Sequence, residues 1–408
     1  MPVFILIASF AVALVFSLMS FMTVAAVIPE LKEAWALNNT EAGMVGGAFF
    51  VGYVTAVLVL TSLTDRIDSK LIYIVSALIG GTASILLGYT ADDFWSGVGF
   101  RILTGLGLAG TYMPGLRALT DQLPEAARNR GVVYYTSFFA LGSGLSILVG
   151  GEIKDWLDWR WAFIIAGAGF YVAAAIIAIV LPSNPPKPID KPDTHPLDFR
   201  PVLRNRIALG YIAGTVGTTW EVFALRVWAP TFLIFLIPIT PDAGYLVRPT
   251  VMATVIALIG IPASMVMGEL TAKFDRRRVL IGAGIISLTS SVLIAINIDG
   301  VYAVLLILLL VLGAFSYGRN ASLTAGIMAI ADPKLKGLYM AFYAAVGFSG
   351  GIFGPPLVGA ALDLAGGRLD ATGWSVGFAT LAIGGGITAL GLFILSRPAK
   401  IKSAAPTR

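Results

Sequence analysis

The chain has 408 residues, of which 57% are hydrophobic and only 12% charged. A soluble domain carries about twice that charge, so too few polar residues remain to coat a water-facing surface, and most of the chain is expected to face lipid. Cysteine is absent and His195 is the single histidine, which excludes disulfides and thiolate metal sites and leaves almost no material for zinc or haem chemistry; no cofactor and no metal are expected.

The first apolar run, MPVFILIASFAVALVF, has no lysine or arginine ahead of it and continues to about Ile28. A cleaved signal peptide would have a basic front and a shorter apolar middle, so this run is expected to be a retained first helix. A crossing helix needs about 20 apolar residues. Twelve such runs follow one another, at approximately 4–28, 42–62, 71–90, 95–119, 131–151, 160–182, 207–237, 249–269, 279–297, 301–330, 337–362 and 374–396. They are too long and unbroken for barrel strands, and their many glycines let helix backbones approach closely in a membrane. Between the sixth and seventh runs lies LPSNPPKPIDKPDTHPLDFRPVLRNR, whose recurrent proline resists helix and reads as a linker. The expected organisation is two six-helix bundles, 1–182 and 207–408, joined by a cytoplasmic linker at 183–206, with a short cytoplasmic tail.

Lysine and arginine fix the expected orientation. With the N-terminus inside, nineteen of the 28 fall in inside loops or the tail and five outside, and four (Arg101, Arg117, Arg226 and Arg319) fall within spans. Both termini are therefore expected in the cytoplasm. The same asymmetry accounts for the net charge of +5 without a nucleic-acid partner. The halves also echo one another. Asp65-Arg66 recurs as Asp275-Arg276, Pro29 as Pro238 and Gly131 as Gly337, at nearly constant offset, which argues for duplication. Transporters are often built from such repeats, with the site at the midplane between them.

Twelve spans in two sixes, with an acid–arginine signature after spans two and eight, resemble the major facilitator superfamily. The stretch Thr61-Ser-Leu63-Thr-Asp65-Arg66-Ile-Asp68-Ser69-Lys70 keeps the Leu, Asp, Arg and final Lys of the family's loop motif and loses both glycines. A second copy starts at Gly268. RILTGLGLAGTYMPG from Arg101, WRWAF at 159–163 and GIFGPPLVGAALD at 351–363 are similar to family patterns in spans four, six and eleven. The resemblance implies a central cavity lined by spans one, four, seven and ten, alternating access by rocking of the halves, and a bacterial inner-membrane protein; a monomer is the expected state. TTWEVFALRVWAPTF at 218–232 is similar to span seven of a bacterial nitrate-, nitrite- or cyanate-type subgroup. Spans five and eleven lack the asparagine-bearing glycine motif of nitrate carriers, and span five lacks the Gly-Pro of drug–proton antiporters.

Charge inside a span is costly, about 2.5–3.5 kcal/mol on insertion scales, so each such group should face water, a partner or a ligand. Arg226 and Arg319 fall near mid-depth. A pair of guanidinium groups suits a carboxylate or oxyanion, because the planar fork donates bidentately. Arg226, Arg319, Tyr317, Asn320, Trp220, Thr219 and Tyr112 are the expected substrate contacts. Glu221 lies about 140° around its helix from Arg226, so the two should not pair. It is either a proton-coupling group or one arm of a salt bridge to Arg101 or Arg319. The resemblance implies a proton-traffic role for Arg101. Arg117 and Asp121, spaced i, i+4 near the inner end of span four, are expected to form a structural pair, with an inner-mouth anion contact as the alternative. They are grouped with Asp65, Arg66, Asp275 and Arg276 as gating residues, the last four making contacts between helices. Trp35, Trp95, Trp156, Trp159, Trp161 and Trp374 are expected at the membrane interfaces. No nucleophile triad, phosphate loop or metal cluster is present, so no enzyme activity is expected. The reading that follows is a secondary transporter of a small anion, coupled to protons or working by exchange. An exporter of lipophilic cations and a non-transporting membrane sensor remain open alternatives.

Overall fold

The computed structural model describes residues 2–64, 66–183, 199–239, 248–331 and 335–395, and their regular structure is entirely α-helical. Asp65, His195 and most of the linker lie outside the described residues. The first half of the chain forms α1 (Val3–Leu18), α2 (Thr23–Ala26), α3 (Ile28–Ala34), α4 (Asn39–Leu63), α5 (Ser69–Thr90), α6 (Phe94–Gln122), α7 (Glu125–Trp156) and α8 (Trp159–Val180). The second half begins with the short α9 (Arg200–Arg204) and the long α10 (Arg206–Ile239). It continues through α11 (Pro249–Leu258), α12 (Gly260–Lys273), α13 (Arg276–Ile296), α14 (Tyr302–Ile330), α15 (Lys336–Gly347), α16 (Ser349–Leu364) and α17 (Ala371–Leu395). Among the described residues, ten stretches are helical, long and apolar enough to cross a membrane, which makes this a multi-pass membrane protein. α1, with 16 residues, is shorter than these, and α6, with 29, carries Arg101, Arg117 and Asp121.

The run expected as one helix over 4–28 is broken after Leu18. Irregular backbone inside a membrane persists only where protein satisfies its polar groups, and here it does. The Arg101 guanidinium donates to the Ser20 and Phe21 carbonyls, both at 2.8 Å. The Met22 N–H reaches Ser146 Oγ at 3.2 Å, and the Ser20 and Ser84 hydroxyls lie 2.7 Å apart. Two further runs are interrupted. Between α11 and α12 the interruption falls at Ile259, just before Gly260 and Pro262 in the first turn of α12, and the missing Cβ of Gly260 leaves room for Tyr317. Between α15 and α16 the interruption falls at Phe348.

Among the described residues, hydrogen bonds between the two halves lie at mid-length or toward the end that holds Asn39. There α4 and α16 meet backbone to backbone. A side chain at Gly43 would strike the Pro355 carbonyl, and one at Gly359 would strike the Asn39 carbonyl. Asp363, near the end of α16, closes this seam. Its Oδ1 accepts from Asn39 N at 3.0 Å and Nδ2 at 2.7 Å, and its Oδ2 from Thr40 N at 2.8 Å and Oγ1 at 2.7 Å. A carboxylate is thus placed on the positive N-terminal end of α4, where it is favoured. A second cross-half contact lies between α7 and the start of α11, where Arg248 meets Glu152 at 2.8 Å and Asp155 at 2.9 Å. Among the described residues, Arg66, Asp275 and Arg276, expected as gating residues, make no such bridge. Arg66 is exposed, Asp275 caps α13 through Arg278 N at 2.8 Å, and Arg276 reaches the Ala325 carbonyl at 3.4 Å within its own half.

The interface tryptophans divide. Trp95 and Trp156 are 74% and 83% exposed and Trp161 is also exposed, whereas Trp35, Trp159 and Trp374 are buried. Trp35 stacks edge-on to Trp159, and Trp374 packs on Trp228 and Phe232.

Asp363→Ala should loosen the seam. Because the chain has no cysteine, Ala42→Cys provides a single buried reporter in α4, and its thiol-labelling rate should rise several-fold when Asp363 is removed; an unchanged rate would show that the carboxylate does not hold this end shut. Lys32 reports on the same seam, donating to Asn39 Oδ1. Burial, and then the nearby Arg368, lower its ammonium to about 8, against the opposing pull of Asp363 and Glu41. A lowered lysine favours this arrangement where it is neutral and an unconstrained lysine, at about 10.4, is still charged. Labelling normalised to free cysteine should therefore fall as pH rises from about 8 toward 10.5, and Lys32→Gln should abolish that dependence.

Candidate functional site

Long apolar helices position the membrane charges, and each charge is met differently. Arg319, on α14, is fully buried in a closed polar cluster. Its Nε donates to Thr218 Oγ1 at 2.7 Å, its Nη1 to Ser287 Oγ at 2.7 Å, and its Nη2 to Glu221 Oε2. Glu221, on α10 and also fully buried, accepts in addition from Ser316 Oγ at 2.8 Å and Ser287 Oγ at 3.1 Å. Three helices, α10, α13 and α14, are tied together by these contacts. The expected pair of substrate-facing guanidinium groups is therefore not formed, because Arg319 is committed to Glu221 inside the second half.

Arg101 is also fully buried, and its Nη atoms are taken by the Ser20 and Phe21 carbonyls while Phe49 lies beneath, 4.9 Å from ring centroid to Cζ. Its Nε has no partner. The contacts of Arg101 support the break between α1 and α2. Among the described residues no carboxylate meets Arg101, so the proton relay implied by resemblance lacks an acid beside it here.

Arg226, on α10, differs from both. It is 6% exposed and has no acidic partner among the described residues. Its Nη1 donates to Ser143 Oγ on α7, across the boundary between the halves, at 2.5 Å. Its Cζ lies 4.7 Å from the Tyr317 ring centroid and 5.9 Å from that of Phe223, and its Nε is unpartnered. The positive charge is thus stabilised by one hydroxyl and two ring faces, without a counter-charge. Asn320 is exposed and shares a helical face with Tyr317, three residues before it.

The remaining expected contacts lie elsewhere. Thr219 Oγ1 donates to the Gly347 carbonyl at 2.5 Å, which ties α10 to α15. Trp220 Nε1 donates to the Thr380 carbonyl on α17 at 3.1 Å. Trp220, six residues from Arg226, is turned about 120° away from it around the helix, whereas Thr219, seven residues away, shares its face but lies two turns, roughly 10 Å, nearer the start of α10. Tyr112 stacks on Tyr135 and packs on Phe139, in the first half. Arg117 donates to Thr64 Oγ1 at 2.6 Å and lies 3.9 Å from Asp121, so this half-exposed pair fastens α6 to the end of α4. Ser143, Phe223, Ser287 and Ser316 were not singled out from the sequence. Each is a small or apolar residue within a long apolar run, with no local signal to mark it.

The chain matches the Major Facilitator Superfamily over residues 10–246 and 248–408, and it belongs to that family. It is similar to Protein spinster homolog 1 of Xenopus laevis, 27% identical over 53% of this chain and 43% of that protein. It is also similar to the niacin transporter NiaP of Acinetobacter baylyi, 27% identical over 40% of this chain and 37% of that one. The match spans less than half the length of these relatives. In structure it is similar to a bacterial homologue of the human lysosomal transporter Spinster in an inward-facing, unoccupied conformation, with TM-score 0.78, 15% identity and 97% of each chain covered. That likeness establishes the major facilitator fold. Family and neighbours are transporters, not enzymes.

Breaking a buried ion pair by removing one arm costs about 3–5 kcal/mol, because the other charge is stranded. Glu221→Gln and Arg319→Gln should each lower the thermal midpoint by many degrees in detergent. The double variant should be less damaged than the sum of the two; strict additivity would show that the pair is not coupled.

Proposed function

We propose that the chain is a secondary transporter that moves a small anion by alternating access, with Arg226 as the charge that receives it. The observation that carries this reading is a buried guanidinium with an unpartnered Nε, no acidic partner among the described residues and a serine contact across the two halves. Burying a cation without a counter-charge is expensive, and an arriving carboxylate or oxyanion relieves that cost. The site also lies where two halves of a duplicated carrier would meet, as binding sites of such carriers do. A relative named for niacin transport supports an organic acid as the passenger.

In this reading the chain forms twelve spans, as six-helix bundles at 1–182 and 207–408 joined by the cytoplasmic segment 183–206. α1 and α2 make the first span and α6 the fourth. Positive-inside counting puts both termini in the cytoplasm of a bacterial inner membrane. The Asn39 end is then external, and the seam at Asp363 closes the path to the outside. Tyr317, beside Arg226, is a further substrate contact, and Asn320, on the same face of α14, is another. The Glu221–Arg319 pair is the coupling element: protonation of Glu221 would release Arg319 and the three helices it ties. The protein works as a monomer, exchanging or co-transporting protons with its substrate.

Arg226→Gln should reduce anion uptake into proteoliposomes at least 100-fold with little change in thermal midpoint. Arg226→Lys should retain part of it, since charge survives but the fork does not. Uptake that survives Arg226→Gln would refute the role given to this residue; stimulation of hydrophobic-amine export instead of anion flux would favour a cation exporter.

A further inference from the structure

The surroundings of Arg226 restrict which anion could lodge there. Resting on the anion reading above, we infer that its ligand is a monocarboxylate carried on a flat aromatic or apolar body. Three observations carry this.

The first is the charge count. Of the three deeply buried arginines, Arg319 is neutralised by Glu221 and Arg101 has both terminal nitrogens on backbone carbonyls. Arg101 also keeps an unpartnered Nε, but its terminal nitrogens are held on carbonyls within the first half, so among the described residues Arg226 is the buried cation that reaches across the boundary between the halves without a counter-charge. A dianion would bring a second negative charge into a region with no cation to receive it, and desolvating that charge is costly.

The second is the scarcity of polar groups. Ser143 and Tyr317 lie at the guanidinium, and the Tyr317 hydroxyl is 3.4 Å from the Val222 carbonyl. A sugar or nucleoside needs a partner for nearly every hydroxyl, since each buried polar group left unpaired costs about 1–3 kcal/mol. This region cannot supply them.

The third is the ring surface. Phe223 flanks the guanidinium and lies 4.0 Å from Phe50 and 6.2 Å from both Phe21 and Phe348, measured between centroids. These rings come from α10, α4, the turn between α1 and α2, and the break between α15 and α16. They converge from both halves, so relative movement of the halves would open a slot between ring faces rather than a polar cleft. A planar body fits such a slot by offset stacking or edge-to-face contact. A small inorganic oxyanion would surrender its hydration and gain nothing from the rings.

The test is calorimetric titration of the purified full chain in detergent with benzoate, acetate, malonate and benzamide. Benzoate should bind tightest, with acetate at least about tenfold weaker; benzamide should give no binding, and malonate should be no tighter than acetate. Phe223→Leu should narrow the benzoate-to-acetate ratio, with Phe50→Leu as the second variant should the first fail to fold. Equal affinity for benzoate and acetate, both lost in Arg226→Gln, would overturn this inference and keep the anion site. Malonate binding tighter than benzoate would overturn the single-charge argument. If no anion binds in an Arg226-dependent way, the anion site itself falls, and this inference with it.

Discussion

A guanidinium removed from water needs either a counter-charge or a full set of acceptors, and the middle of this molecule is organised around how three arginines meet that need. Arg101 takes two carbonyls that a broken helix leaves open, so the charge and the break satisfy one another. Arg319 takes Glu221 and two hydroxyls, and three helices of the second half are fixed as a result. Arg226 takes one hydroxyl from the opposite half and the faces of two rings. The first two arrangements build the scaffold. The third leaves interaction capacity facing the boundary along which family members rearrange.

The broken first span shows how closely scaffold and site are connected. The turn at 19–22 brings Phe21 to Phe49, Phe50 and Phe223, in the ring cluster beside Arg226. A continuous helix through these positions would hydrogen-bond its own carbonyls and leave Arg101 without acceptors. The guanidinium of Arg101 therefore acts on the site from a distance, by stabilising the backbone shape that delivers a ring to it.

Much of this was legible in the sequence, for reasons that also explain the omissions. Long apolar runs and glycine content led directly to a multi-pass helical membrane protein, because lipid imposes a strict length and composition on whatever crosses it, and the acid–arginine loop motifs carried the resemblance to the major facilitator fold. The charges within spans were equally plain, since any ionised residue in such a run stands out. Their partners were not. Whether Glu221 met Arg101 or Arg319 depends on helix rotation and on neighbours 66 to 98 residues further along the chain, and the serines that complete the cluster look like any other small residue in a membrane helix. The break after Leu18 was hidden because MSFM contains neither glycine nor proline, and its cause is an arginine some eighty residues later. Asp363 stood at the end of the quoted span-eleven segment, but its use became visible only once α4 was seen to begin against it.

The groups that join α4 to α16 at that end are a carboxylate, two backbone N–H groups, an amide and a hydroxyl. Solvent can serve every one of them when the helices part, so separation exchanges protein hydrogen bonds for hydrated ones and the net free-energy difference is small. An oily plug of the same area would resist wetting. A fastening made of hydrophilic groups gives way reversibly, and the binding of one solute elsewhere is enough to decide which way it stands.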